Sequence, residues 1–172
     1  SYGVQATGTG AVTLRNAGSG TGTNAAVKLA SGNANRLIVD PGAVFSGLVD
    51  GGNSIASSIA STLELASAAG AGTLAGLGTS VLRFANITVD AGAQWTLSGA
   101  GLGASYTIIN SGTVTNTGTL LSGVTLTGSN PTLINATGGT ISTATSLGAV
   151  YAAGNGTVSN AGLISNSSAQ AI

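Results

Sequence analysis

The sequence predicts an all-β protein: a parallel β-helix, a solenoid of about seven coils occupying residues 1–172 as one unit. Three observations carry that expectation. The first is a short unit, apolar-x-Asn-x-Gly-x-apolar. It runs Ile108, Asn110, Gly112, Val114 and then Val114, Asn116, Gly118, Leu120. It returns loosely as Leu133, Asn135, Gly139, Ile141 and faithfully as Val158, Asn160, Gly162, Ile164. The leading Asn110, Asn135 and Asn160 are spaced 135 − 110 = 25 and 160 − 135 = 25 residues apart. The second is a turn phrase, Asp40-Pro41-Gly42-Ala43, repeated as Asp90-Ala91-Gly92-Ala93 at 90 − 40 = 50 residues, twice that period. Phe45 and Trp95 follow the two copies at the same offset. The third is composition. Of 172 residues 29 are Gly, and only 5% are charged, against roughly a quarter in ordinary domains. Hydrophobic residues make up 42% but aromatics only 3%, which suits a long narrow core of small side chains.

Taken in order, the chain opens with one strand pattern, Val12-Thr13-Leu14, followed by Asn16-Ala17-Gly18 and a Gly/Thr/Ser-rich turn up to Asn24. Val27 and Leu29 alternate about Lys28, and Leu37, Ile38 and Val39 lead into the Asp40 turn. There Asp bonds forward to the backbone, Pro presets φ, and Gly permits positive φ. Val44, Phe45, Leu48 and Val49 resume strand. Asn53–Ser61 reads as a short helical excursion or an exposed loop, and Leu63 and Leu65 flank Glu64 as a strand. The Gly/Ala-rich stretch 66–80 reads as loops. Val81–Phe84 and Ile87–Val89 are strands. From there almost everything alternates: 94–97, 106–109, 113–115, 119–121, 124–126, 132–134, 140–142, 150–151, 157–159 and 163–165. Each is short, β-branched and bounded by Gly, Asn or Ser.

Stacked coils lie about 4.8 Å apart, and each backbone group pairs with the coil above or below. A constant period then places Ile108, Leu133 and Val158 in one inward column, and Val114, Ile141 and Ile164 in another. Asn recurs because stacked amides bond along a ladder, and Gly recurs where a turn needs positive φ. The structural-repeat residues are therefore Asp40, Asp90, Asn110, Gly112, Asn116, Gly118, Asn135, Asn160 and Gly162. Turn formation is favoured over ligand binding at all of them.

Formal net charge is zero and no basic run occurs, which removes the electrostatic drive for nucleic-acid binding. The absence of Cys excludes disulfides and thiolate metal sites. No basic-plus-apolar leader opens the sequence and no apolar run reaches transmembrane length. The repetitive texture at both ends reads as a piece of a longer protein.

Three stretches carry a resemblance. They are STLELASAAGAGTLAGLG (Ser61–Gly78), ITVDAGAQWTLSG (Ile87–Gly99), and the serial units NSGTVTNTGTLL and NAGLIS. Together they cover most of residues 61–165, and they resemble the passenger domains of autotransporters, the type V secreted surface proteins of Gram-negative bacteria. The resemblance implies a right-handed β-helix at the cell surface, exported through an outer-membrane barrel that lies outside this stretch. It implies a virulence-type role as an adhesin or stalk that displays other domains. The implied partners are a host or abiotic surface, or a second rod in self-association.

Enzymatic chemistry has little to work with. There is no His and no Cys, and the acids are Asp40, Asp50, Glu64 and Asp90. Neither a nucleophilic triad nor a zinc site can be assembled, and no catalytic residue, metal ligand or cofactor site is expected. The alternative is a carbohydrate-active β-helix, a polysaccharide lyase or tailspike-like hydrolase, which needs paired acids or an acid and a base in one groove. Asp40 and Asp90 are two coils apart in matched turns, which favours capping. Arg15, Lys28, Arg36 and Arg83 are sparse and show no cluster with the acids in sequence. Trp95 and Phe45 are expected in the core, and the alternating Thr113, Thr115, Thr117, Thr119, with Thr125 and Thr127, on an outward face. A flat Thr array of that kind is the one feature that would suit ice or another regular surface.

Overall fold

The computed structural model describes residues 1–103 and 105–168. Among these there are twenty-two strands and no helix. Every strand ladder is parallel, and the rule of pairing is simple: a strand bonds to the third strand after it. That is a chain winding round three faces per coil, and twenty-two strands taken three at a time make about seven turns.

One face is the spine, a continuous seven-stranded sheet. It contains β2 (Thr13–Asn16), β5 (Arg36–Val39), β8 (Thr62–Leu65), β11 (Asn86–Val89), β14 (Thr107–Asn110), β17 (Val124–Leu126) and β20 (Val150–Ala152). The second face starts as β3 (Ser19–Thr21) and β6 (Val44–Ser46). After a break it continues as β9 (Gly72–Ala75), β12 (Gln94–Ser98), β15 (Thr113–Asn116), β18 (Thr132–Asn135) and β21 (Thr157–Asn160). The third is β1 (Tyr2–Gln5), β4 (Ala25–Lys28), β7 (Val49–Asp50) and β10 (Val81–Leu82) in the N-terminal half. In the C-terminal half it is β13 (Ala100–Leu102), β16 (Thr119–Leu120), β19 (Thr140–Thr143) and β22 (Leu163–Asn166). No ladder joins β6 to β9 or β10 to β13.

Two-residue alternation decides which side chains fill the interior. Strands such as β8, β11, β15, β18 and β19 alternate half-buried and buried positions along their length. On the spine Leu14, Leu37, Leu63, Ile87, Ile108, Val124 and Val150 stand in one register column. On the second face Gly72, Trp95, Val114, Leu133 and Val158 do the same, and on the third face Leu102, Leu120, Ile141 and Ile164.

These columns correct the expected ones. Leu133 does share a column with Val158, but with Val114 as its neighbour below; Ile108 belongs to the spine, beside Ile87 and Val124. Ile141 and Ile164 stack on Leu120, not on Val114. The cause is uneven coil length. Ile108 and Val124 are partners at 124 − 108 = 16 residues, whereas Val124 and Val150 are partners at 150 − 124 = 26. Loops take up the difference, so register in the strands survives without a constant period.

The Asp-x-Gly turns form as read. The Ala43 amide donates to the Asp40 carbonyl and the Ala93 amide to the Asp90 carbonyl, each at 3.0 Å. Gly42 and Gly92, at the third turn position, have φ of +88° and +75°. Asn53–Ser61 is a loop with no helix; its middle is exposed or half-buried, and its ends, Asn53 and Ser61, are buried and bonded to each other at 2.9 Å. The stretch 66–80, expected as loops, contains β9, and the expected turn before Asn24 contains β3. Gly72 fits in a strand because the indole of Trp95 in the next coil fills the space its side chain would take. A Cβ on Gly72 would sit 2.5 Å from Trp95 Cζ3. Trp95 itself is 3% exposed, and its Nε1 donates to the Ala66 carbonyl at 2.9 Å. Phe45 lies in the same way against Gly20, half-buried.

Candidate functional site

Of the repeat Asn residues, Asn110, Asn116 and Asn135 are buried and Asn160 is exposed, and they form a ladder with a different membership from the one expected. Asn116, Asn135 and Asn160 are in register on the second face. Asn116 Nδ2 donates to Asn135 Oδ1 at 2.9 Å, and Asn135 Nδ2 donates to Asn160 Oδ1 at 2.8 Å. Asn116 Nδ2 also reaches the Gly118 and Thr140 carbonyls, and Asn135 Nδ2 those of Gly139 and Leu163. Each amide so ties the end of the second face to the start of the third in its own coil and the next. Asn110 stands apart on the spine, where Val89 and Leu126 are its register partners. It accepts from the Gly112 amide and donates to the Thr132 carbonyl at 2.8 Å. Asn16, at the end of β2, accepts from the Gly18 amide, but its buried Nδ2 has no partner among the described residues, and Val39 is its register partner in the next coil.

The repeat glycines differ in cause from the expectation. Gly112, Gly118 and Gly162 are not at positive φ. They are small because the coil below leaves no room. A Cβ on Gly112 would lie 2.5 Å from the Ala93 carbonyl oxygen, and those on Gly118 and Gly162 would run into the Gly99 and Gly139 carbonyls.

Asp40 and Asp90 occupy matched turns but have opposite surroundings. Arg15, one coil below Asp40, grips its carboxylate with two bonds of 2.8 Å. That hydrogen bonding holds the Asp40 carboxyl below the usual carboxylate range and raises Arg15. The spine places Glu64 where Arg15 stood, because Arg15, Ile38 and Glu64 share a register column. Glu64 pairs with Arg36. Asp90 has no ion-pair partner among the described residues, and burial first, then the Glu64 charge, raises its pKa. The two acids are therefore turn residues, one ion-paired and one not.

A different acid is brought together with bases. Lys28, Asp50 and Leu82 are register neighbours on the third face, and Arg83 follows Leu82. Asp50 Oδ2 receives Lys28 Nζ at 3.3 Å and Arg83 Nη1 at 3.1 Å, while Oδ1 accepts from the Gly52 amide at 2.8 Å. This triad was not legible in sequence, since 83 − 28 = 55 residues separate its ends. Among the described residues no group of three or more His, Cys, Asp or Glu side chains gathers as a metal site.

The outward residues of the second face form two hydroxyl-rich columns. Gln94, Thr113, Thr132 and Thr157 make one, and Thr73, Thr96, Thr115, Ile134 and Ser159 the other. No Lys, Arg, Asp or Glu occurs after Asp90, so this half of the rod is uncharged as well as polar.

The chain matches no family model, no curated protein and no solved structure.

Proposed function

We propose that this chain is a non-enzymatic β-helical stalk and adhesion segment of a bacterial surface protein exported by the autotransporter route. In this reading it attaches to surfaces or to its own kind and carries other domains outward from the cell. The observation that carries it is the two-column Thr/Ser face on β9, β12, β15, β18 and β21, free of any charged residue. Like charges do not repel there, and a net charge of zero favours association. Contacts that are individually weak add along a rod when the same unit recurs in each coil.

Sedimentation velocity of the purified chain tests this. Self-association is expected to persist from low to high salt, because no ion pair is needed. Thr113→Lys combined with Thr157→Lys puts two charges on one column, two coils or about 9.6 Å apart, and is expected to abolish it. A wild-type chain that stays monomeric and attaches to no surface, or a double variant that associates undiminished, would remove the reading.

A second reading, a carbohydrate-active β-helix, is favoured by one observation: an acid and two bases meet at Asp50 beside a cleft. Against it, both Asp50 oxygens are occupied, and glycoside hydrolysis requires two carboxyl groups.

A further inference from the structure

The triad at Asp50 borders a cleft of about 610 Å³, within the size range of small-ligand sites. Lys28 and Arg83 line it together with Thr7, Thr9, Ser31 and Asn33, and Gly8 and Gly32, where a Cβ would meet nothing within 4 Å, leave its walls open. The three charges are unequally placed. Asp50's side chain is 3% exposed, whereas those of Lys28 and Arg83 are 41% and 50% exposed. Asp50 is thus buried beneath two cations and has both oxygens engaged. Each cation gives it a single hydrogen bond, leaving two N–H groups on Lys28 and four on Arg83. Two cations over one anion leave the cleft with a surplus of one positive charge.

Arg83 is also the one non-glycine residue at positive φ among the described residues, at +65°. Positive φ is unfavourable for a residue that carries a Cβ. From that backbone position the side chain reaches Asp50. Gly51 accommodates it, since a Cβ there would run into the Arg83 carbonyl. No aromatic or large apolar side chain except Leu29 lines the cleft, so it is built for a hydrated ligand.

We propose that this cleft binds an acidic carbohydrate, with a carboxylate or sulfate oxyanion held by the free N–H groups of Lys28 and Arg83 and hydroxyls bonded by Thr7, Thr9, Ser31 and Asn33. Asp50 is a positioning residue that orients the two cations. The site lies on the third face of the N-terminal coils and does not depend on association through the Thr columns.

Amide shifts of Gly32, Gly52 and Arg83 in the full chain, titrated with three probes, test it. Trigalacturonate and a sulfated disaccharide distinguish the two oxyanions, and maltotriose is the neutral control. At least one acidic probe is expected to bind saturably and more weakly at high salt, with maltotriose inert. Arg83→Gly relieves the backbone and keeps the fold, and is expected to weaken binding by at least about tenfold. Lys28→Arg should retain it. Asp50→Asn keeps the oxygen that caps Gly52 but turns an N–H toward both cations, which then lose their alignment, and is expected to weaken binding. No shift with either acidic probe, equal binding of maltotriose, or undiminished binding by Arg83→Gly would overturn the assignment. Release of new saccharide ends from an acidic probe would also overturn it, in favour of the catalytic reading.

Discussion

Replacing Asn135 by Ala removes the middle rung of the buried amide ladder. The side chain is fully buried and bonds to four groups: Asn116 Nδ2, the Gly139 carbonyl, Asn160 Oδ1 and the Leu163 carbonyl. Its Nδ2 has two hydrogens for three acceptors, so three bonds are made at full strength, one of them accepted and two donated. At about 1 kcal/mol net each, that is about 3 kcal/mol. Some is recovered. Asn116 Nδ2 keeps the Gly118 and Thr140 carbonyls, and the Leu163 carbonyl lies in the exposed last coil where water can reach it. The expected loss is about 2–3 kcal/mol in urea unfolding, with faster amide exchange at Gly139 and Gly162. Asn160→Ala, at the exposed end of the ladder, should cost only about 0.5 kcal/mol because water replaces its partners. Asn135→Asp should cost more than Ala at neutral pH, since a carboxylate would face Asn160 Oδ1 and the Gly139 and Leu163 carbonyls. Its folded-state pKa is then raised, so stability should recover as pH falls and the acid regains a donor. If Asn135→Ala costs no more than Asn160→Ala, the ladder is not what joins these coils.

Gly118→Ala drives a methyl into the Gly99 backbone and should cost about 1–3 kcal/mol, whereas Gly18→Ala, which meets nothing within 4 Å, should leave the melting temperature nearly unchanged. Trp95→Phe strands the Ala66 carbonyl and opens space over Gly72; a loss of about 1–3 kcal/mol is expected in urea titration. Asp90 has its pKa raised in the folded state, so the native chain binds its proton more tightly than the unfolded chain does. Its contribution is therefore favourable at low pH and lost as pH rises through the folded value. Asp90→Asn should raise the melting temperature slightly at neutral pH and leave it unchanged in acid. A stabilisation that grows toward low pH would contradict the sign.

The Asp-x-Gly turns and the strands of the C-terminal half were legible because their signals are local. Pro41 with Gly42, or a Thr-Val-Thr triplet between Asn and Gly, specifies its own conformation. Column membership was not legible. The equal spacing of Asn110, Asn135 and Asn160 suggested one file, yet Asn110 sits on another face because the coil from Ile108 to Val124 is short. A sequence period reports the mean coil, and only strand pairing says which loop absorbed the excess. Strand β9 was hidden for a related reason. Gly72 and Ala75 carry no strand signal of their own, and the surface that makes a strand there is Trp95, a coil away. The Lys28–Asp50–Arg83 triad depends on the same long-range stacking, so the charges that matter most lie far apart in sequence.

Since the chain has no cysteine, paired substitutions read the stacking directly. Thr115 and Ile134 are register partners pointing outward, with neighbouring strands about 4.8 Å apart, whereas Ile109 and Ile134 lie one nominal period apart in sequence but on different faces. Under mild oxidation Thr115→Cys with Ile134→Cys is expected to form an intramolecular disulfide rapidly and without loss of stability. Ile109→Cys with Ile134→Cys is expected to stay reduced. Crosslinking of the second pair in preference to the first would contradict the coil assignment on which everything above stands.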